Sequence, residues 1–106
     1  MLKLVSTFIL LFATSFIYSQ TNITGKVTNE KGVPVIGANV YLEGTYDGAS
    51  TASNGTFSFE TTEEGSQTLV VSILSYETYY EMNEVTNLNN LTISLREAIN
   101  ELTGVT

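Results

Sequence analysis

The apolar residues of this chain fall at every second position, in short runs separated by glycine, asparagine and proline. That is the period a pleated strand presents to a core. Ile23, Gly25 and Val27 alternate with Thr24, Lys26 and Thr28, and Ala38, Val40 and Leu42 alternate with Asn39, Tyr41 and Glu43. A short strand is predicted over Ala49 to Ala52. Phe57 and Phe59 then alternate with the polar residues of Thr56 to Glu60 as the core of the sheet. Glu77 to Met82 reads as another strand, and Leu91, Ile93 and Leu95 mark the last. Thr68 to Leu74 differs, because Leu69, Val71 and Ile73 face one way while Val70 and Leu74 face the other with Ser72. A strand apolar on both faces belongs in the middle of a domain. Turn signals recur about every 8 to 12 residues and no run has helical period, so the pattern predicts an all-β, seven-stranded (six to seven) antiparallel Greek-key β-sandwich.

The segment around which these strands are laid is Gly32 to Thr45, GVPVIGANVYLEGT. Asn29 to Gly32 supplies the turn before it. Pro34, the only proline, fixes its own φ and pushes Val33 toward extended geometry. Further along, Asn54-Gly55 between two extended runs predicts a tight hairpin, since both residues tolerate positive φ. After Leu95, Arg96 to Leu102 either begins a helical turn or leaves the domain.

The first residues have a different character. Met1, Leu2 and Lys3 form a short positive start, and Leu4 to Ile17 is apolar except for Ser6, Thr7, Thr14 and Ser15. This is the layout of a secretory signal peptide over residues 1–20, with cleavage near Gln20. A membrane anchor is the competing reading, but the run falls short of the ~20 residues a spanning helix needs. Export follows. The domain then occupies residues 21–96, and 97–106 is a tail or the start of a linker. With no cysteine there is neither a disulfide nor a residue to carry a bacterial lipid anchor, and such an exported domain suits a bacterial periplasm. Beyond residue 20, three cations, Lys26, Lys31 and Arg96, stand against the 11 carboxylates of the chain. That balance argues against nucleic acid or anionic lipid as partner.

The residue types that carry most chemistry are missing. There is no histidine and no cysteine, which removes the usual nucleophile–base pairs and the usual zinc, copper and iron ligands. Glu60 with Glu63 or Glu64 is conceivable as a carboxylate pair but lies on a wet turn. Asp47 and Glu43 supply too few oxygens for calcium. The glycines lack phosphate-loop spacing. The chain therefore reads as a non-enzyme without cofactor or metal. Tyr76, Tyr79 and Tyr80 cluster within five residues. They are the candidate interaction surface, for a protein or a glycan, although such tyrosines more often pack a sheet edge with their hydroxyls wet.

Taken together, the motifs resemble those of the carboxypeptidase regulatory-like (transthyretin-like, or prealbumin-like) domain found at the N-terminus of TonB-dependent outer-membrane receptors of Bacteroidota. The resemblance rests on Ile23-Thr-Gly25-Lys-Val27, then Gly32-Val-Pro34-Val-Ile-Gly37-Ala38-Asn-Val40, Gly44-Thr45, Thr51-Ala-Ser-Asn-Gly55-Thr-Phe57 and Ser72-Ile-Leu-Ser-Tyr76. It covers nearly all of residues 22–95. Ala52 stands where the family usually has aspartate, which leaves a capping or cation role at that turn without its residue. Ser75 stands where it usually has glycine, hinting at a different bend before Tyr76. The resemblance implies a periplasmic accessory domain of an uptake receptor in the outer membrane. Its partners would be the plug and barrel of that receptor or another envelope protein. Asn100 to Thr106 looks like the start of the linker toward the plug. The alternative is a stand-alone periplasmic or secreted module that binds a protein or glycan.

Overall fold

A computed structural model describes residues 20–98, so the predicted signal peptide and the end of the tail lie outside the described residues. Seven strands form in chain order: β1 (Thr21–Asn29), β2 (Asn39–Leu42), β3 (Gly48–Ser50), β4 (Thr56–Thr61), β5 (Ser66–Ser72), β6 (Tyr79–Glu84) and β7 (Leu91–Leu95). A single 3-10 turn at Val85–Asn87 bridges β6 and β7. The strands make two sheets, β4-β1-β7 and β3-β2-β5-β6. The chain is thus the expected sandwich, and β5 takes the interior position that its two apolar faces predict. One pair departs from the antiparallel pattern: β1 and β7 run parallel, with Val27 opposite Ile93.

The period-two pattern translates directly into burial. Ile23 and Val27 of β1, Val40 and Leu42 of β2, Phe57 and Phe59 of β4, Leu69 and Val71 of β5, and Ile93 and Leu95 of β7 all face the space between the sheets. Each ring buried there stabilises the fold by about 1.5–3 kcal/mol. Phe57 has room only because its cross-strand partner is Gly25. A Cβ on Gly25 would lie 2.6 Å from Cζ of that ring and 2.9 Å from Cβ of Leu91.

The central segment enters the sandwich through a set of docking contacts. The turn Asn29–Gly32 forms as expected: the Gly32 N–H donates to the Asn29 carbonyl, and the Asn29 side chain accepts from the Lys31 and Val33 N–H groups. Pro34 then bridges back to Thr28, and the Val35 N–H donates to the Val27 carbonyl at 3.0 Å. The buried Thr51 fastens the other side. Its hydroxyl accepts from the Ala38 N–H at 2.9 Å and donates to the Val35 carbonyl at 2.6 Å, while its own carbonyl accepts from Gly37. Gly55 completes the clamp. It has φ +82°, its carbonyl accepts from the Val27 N–H at 2.8 Å, and a side chain there would run into Val27 and Pro34.

Four further features differ from the sequence reading. Asn54-Gly55 is a turn but joins no hairpin: β3 pairs with β2 and β4 with β1, so the turn carries the chain from one sheet to the other. Only Gly55 of the pair has positive φ, while Asn54 Oδ1 accepts from both the N–H and the hydroxyl of Thr56. Leu74 lies beyond the end of β5 and is exposed, so it does not share the burial of Val70. Ser75 adopts φ +77°, which means the bend that glycine favours is kept and serine carries the strain. Finally, Arg96–Ala98 is extended rather than helical. Glu97 bridges Tyr76, the Glu77 N–H donates to the Arg96 carbonyl, and the Ala98 N–H donates to the Ser75 carbonyl.

Candidate interaction surface

Tyr76, Tyr79 and Tyr80 are not gathered onto one face. Adjacent residues of a strand point to opposite sides of the sheet, so Tyr79 and Tyr80 part company within β6. Tyr79 turns inward, opposite Val71, and packs against the core with its hydroxyl donating to Glu81 Oε1 at 2.6 Å. Burial, followed by the hydrogen bond and charge of Glu81, pushes its pKa up to about 12. Tyr76 is half-buried against the same core where the chain bridges to Glu97. Tyr80 alone faces solvent, 62% exposed.

Tyr80 has other companions. The register places Tyr41, Val70 and Tyr80 in one row across the outer side of β2, β5 and β6, with Gly48 of β3 at the end of the row. Val70 is only 1% exposed although it points away from the core, because it lies between the two tyrosine positions. Met82, 72% exposed, follows on the same side of β6. Tyr41 was legible as a residue on the polar side of its strand. The row was not, because it depends on inter-strand register.

A shallow groove of about 300 Å³ runs along Tyr41 between β2 and β3, lined also by Asn39, Gly48 and Ser50. The rim of this outer side is acidic. Glu43 follows β2 beside Thr68, and Glu84 ends β6 opposite Ser66. The four strands of this sheet contain no lysine or arginine.

Potential catalytic or metal-binding groups are dispersed. Asp47 accepts from the Thr61 hydroxyl at 2.7 Å and from no second cluster, so it ties the β2–β3 loop to the end of β4. Among the described residues no three of His, Cys, Asp and Glu come close enough to hold a metal ion. Thr51 and Gly55, which the motif pattern singles out, serve the packing of the two sheets rather than a cleft.

Comparison with known proteins bears on both fold and surface. A model of the CarboxypepD_reg-like domain matches residues 23–106. No curated protein matches the chain. Among solved structures, two from Acetivibrio cellulolyticus are similar, both interface mutants of a type II Cohesin-X-Dockerin complex. One has 26% identity over 73% of this chain with TM-score 0.61. The other has 23% identity over 71% with TM-score 0.60. The 3-chlorocatechol 1,2-dioxygenase of Rhodococcus opacus 1CP shares the fold at 11% identity and TM-score 0.55, over 77% of this chain. This chain spans 58%, 56% and 61% of those three chains, less than two thirds of each.

Proposed function

Because the chain belongs to the CarboxypepD_reg-like domain family, we propose that it is a non-catalytic accessory domain of the cell envelope, standing ahead of the plug in a TonB-dependent outer-membrane uptake receptor. The observation that carries this reading is where the motif residues go. Pro34, Gly37, Ala38, Thr51 and Gly55 bond or pack against one another and against β1, leaving no cleft in which they meet a substrate. The outer face of β2, β5 and β6 carries an exposed row of Tyr41, Tyr80 and Met82 among polar residues, which suits contact with another protein. The similar Acetivibrio structures are protein–protein complexes, which supports a protein partner. The apolar run at the N-terminus with its positive start supports export to the periplasm.

The open tyrosine row also favours a second reading, a stand-alone exported module that holds a protein or glycan on this face. Cell fractionation and immunoblotting with an antibody to residues 21–98 separate the two. The receptor reading expects the epitope in the outer membrane, on a polypeptide several times larger than this domain. A small soluble periplasmic band would sink it and leave the free module.

A further inference from the structure

We propose that β6 is a docking edge, which adds an extended, basic segment of a partner protein as a further strand of the β3-β2-β5-β6 sheet. Sheet order places β6 at the border, and among the described residues nothing pairs its free side. The segment just before it is different: Ser75 to Glu77 is taken up by Arg96 to Ala98. That pairing is antiparallel, so from Arg96 to Ala98 the chain runs away from Tyr79. The free edge is six residues long, about 20 Å of unpaired backbone donors and acceptors.

The side chains of β6 make this edge a receiving surface. Tyr80 and Met82 stand two residues apart on the outer side, continuous with Val70 and Tyr41. A strand laid beside β6 brings its alternate side chains against them, while the backbone ladder supplies the remaining affinity.

Charge selects the occupant. Exposed edges are commonly guarded by lysine, proline or inward-facing charge. On β6, Glu84 stands on the outer side and Glu81 lies on the inner side, where it accepts from the Tyr79 hydroxyl. Glu43 adds a carboxylate on the outer side two strands away, and no cation lies anywhere in the sheet. A second copy of this chain, with formal net charge −7, sets carboxylates against carboxylates and is repelled. A segment carrying lysine or arginine at alternate positions is attracted. This names the chemistry of the partner in the accessory-domain reading, although it stands on the sheet edge itself.

The test titrates the full chain with a ten-residue peptide of alternating lysine and valine, its glutamate–valine counterpart, and a soluble β-linked oligosaccharide, followed by amide NMR. The lysine peptide is expected to shift amides of Tyr79–Glu84, to slow their hydrogen exchange, and to bind more weakly as salt rises. Reversing the rim charges together, Glu43→Lys with Glu84→Lys, is expected to weaken binding about tenfold or more. Equal binding of the glutamate peptide, shifts that map away from β6, or no binding of either peptide overturns the proposal. So does an oligosaccharide that shifts Tyr41 and Tyr80 where the lysine peptide does not, which would make the face a glycan platform. Fractionation reports separately: a soluble small band with peptide binding intact removes the receptor context and keeps the edge, and the reverse result does the opposite.

Discussion

Replacing Thr51 with valine tests the argument that the signature residues serve the fold. Valine keeps the size and branching of threonine but puts a methyl where the hydroxyl was. The change removes the bond from the Ala38 N–H at 2.9 Å and the bond to the Val35 carbonyl at 2.6 Å, in a part of the core where both residues are buried. A buried backbone group stranded without a partner costs about 1–3 kcal/mol, so two of them, partly relieved by small shifts, cost about 2–4 kcal/mol. Against a total stability of about 5–15 kcal/mol for a single domain, this is a large fraction. At about 4–8 °C per kcal/mol for a domain of this size, the melting temperature falls by about 8–32 °C. Calorimetry and urea unfolding of the two proteins give the number directly. Thr51→Ser is the control, since it keeps the hydroxyl and loses one methyl, at about 1 kcal/mol. A valine variant within about 0.5 kcal/mol of the parent would refute the reasoning. So would a serine variant as damaged as the valine one, because packing and not hydrogen bonding would then hold the segment.

Other substitutions probe other joints. Gly25→Ala sets a Cβ 2.6 Å from the Phe57 ring and is expected to cost about 1–3 kcal/mol by overpacking, with much of the loss recovered in combination with Phe57→Leu; simple additivity would contradict the close approach. Ser75→Gly relieves a left-handed residue at φ +77° and is expected to stabilise by up to about 1 kcal/mol after the entropy of the freer unfolded chain is counted. A loss in chemical denaturation would mean the serine makes a contact worth more than its strain. Tyr79→Ala is expected to lower stability while Tyr80→Ala leaves it nearly unchanged, because only the first ring packs on the core; equal losses would place both rings inside. Tyr79 also sets an alkaline limit. Its folded pKa of about 12 lies above the ordinary value of 10.0, so its contribution is fully present below pH 10 and is lost between about 10 and 12. Tyr79→Phe should flatten that part of the stability profile, and an unchanged slope would count against the hydroxyl's bond to Glu81.

Strand existence was readable because one face of each strand is buried and the alternation reports it. β1, β4 and β7 could be drawn from Ile23/Val27, Phe57/Phe59 and Ile93/Leu95 alone. What alternation lacks is the identity of the neighbour. Asn54-Gly55 has the local chemistry of a hairpin, yet Thr51 and Gly55 on either side bond to segments of different sheets, and those long-range bonds decide where the chain goes. The parallel β1–β7 pair is equally invisible locally, since its partners are more than 60 residues apart. The tyrosine cluster shows the opposite case. Tyr79 and Tyr80 are adjacent, and strand geometry alone sends them to opposite faces. The link from Tyr80 to Tyr41 through Val70 needs a register that only the folded sheet supplies.

Residues such as Thr51, Gly55 and Pro34 hold one sheet against the other, so the fold accounts for them without any ligand. The outward row of Tyr41, Val70, Tyr80 and Met82 lies on positions that the clamp does not constrain. The signature positions of this chain therefore specify the sandwich, and its outer face is left to other residues. In this chain that free face ends at β6, whose outer edge has no partner among the described residues, and the specificity of the domain is to be sought there rather than in the signature.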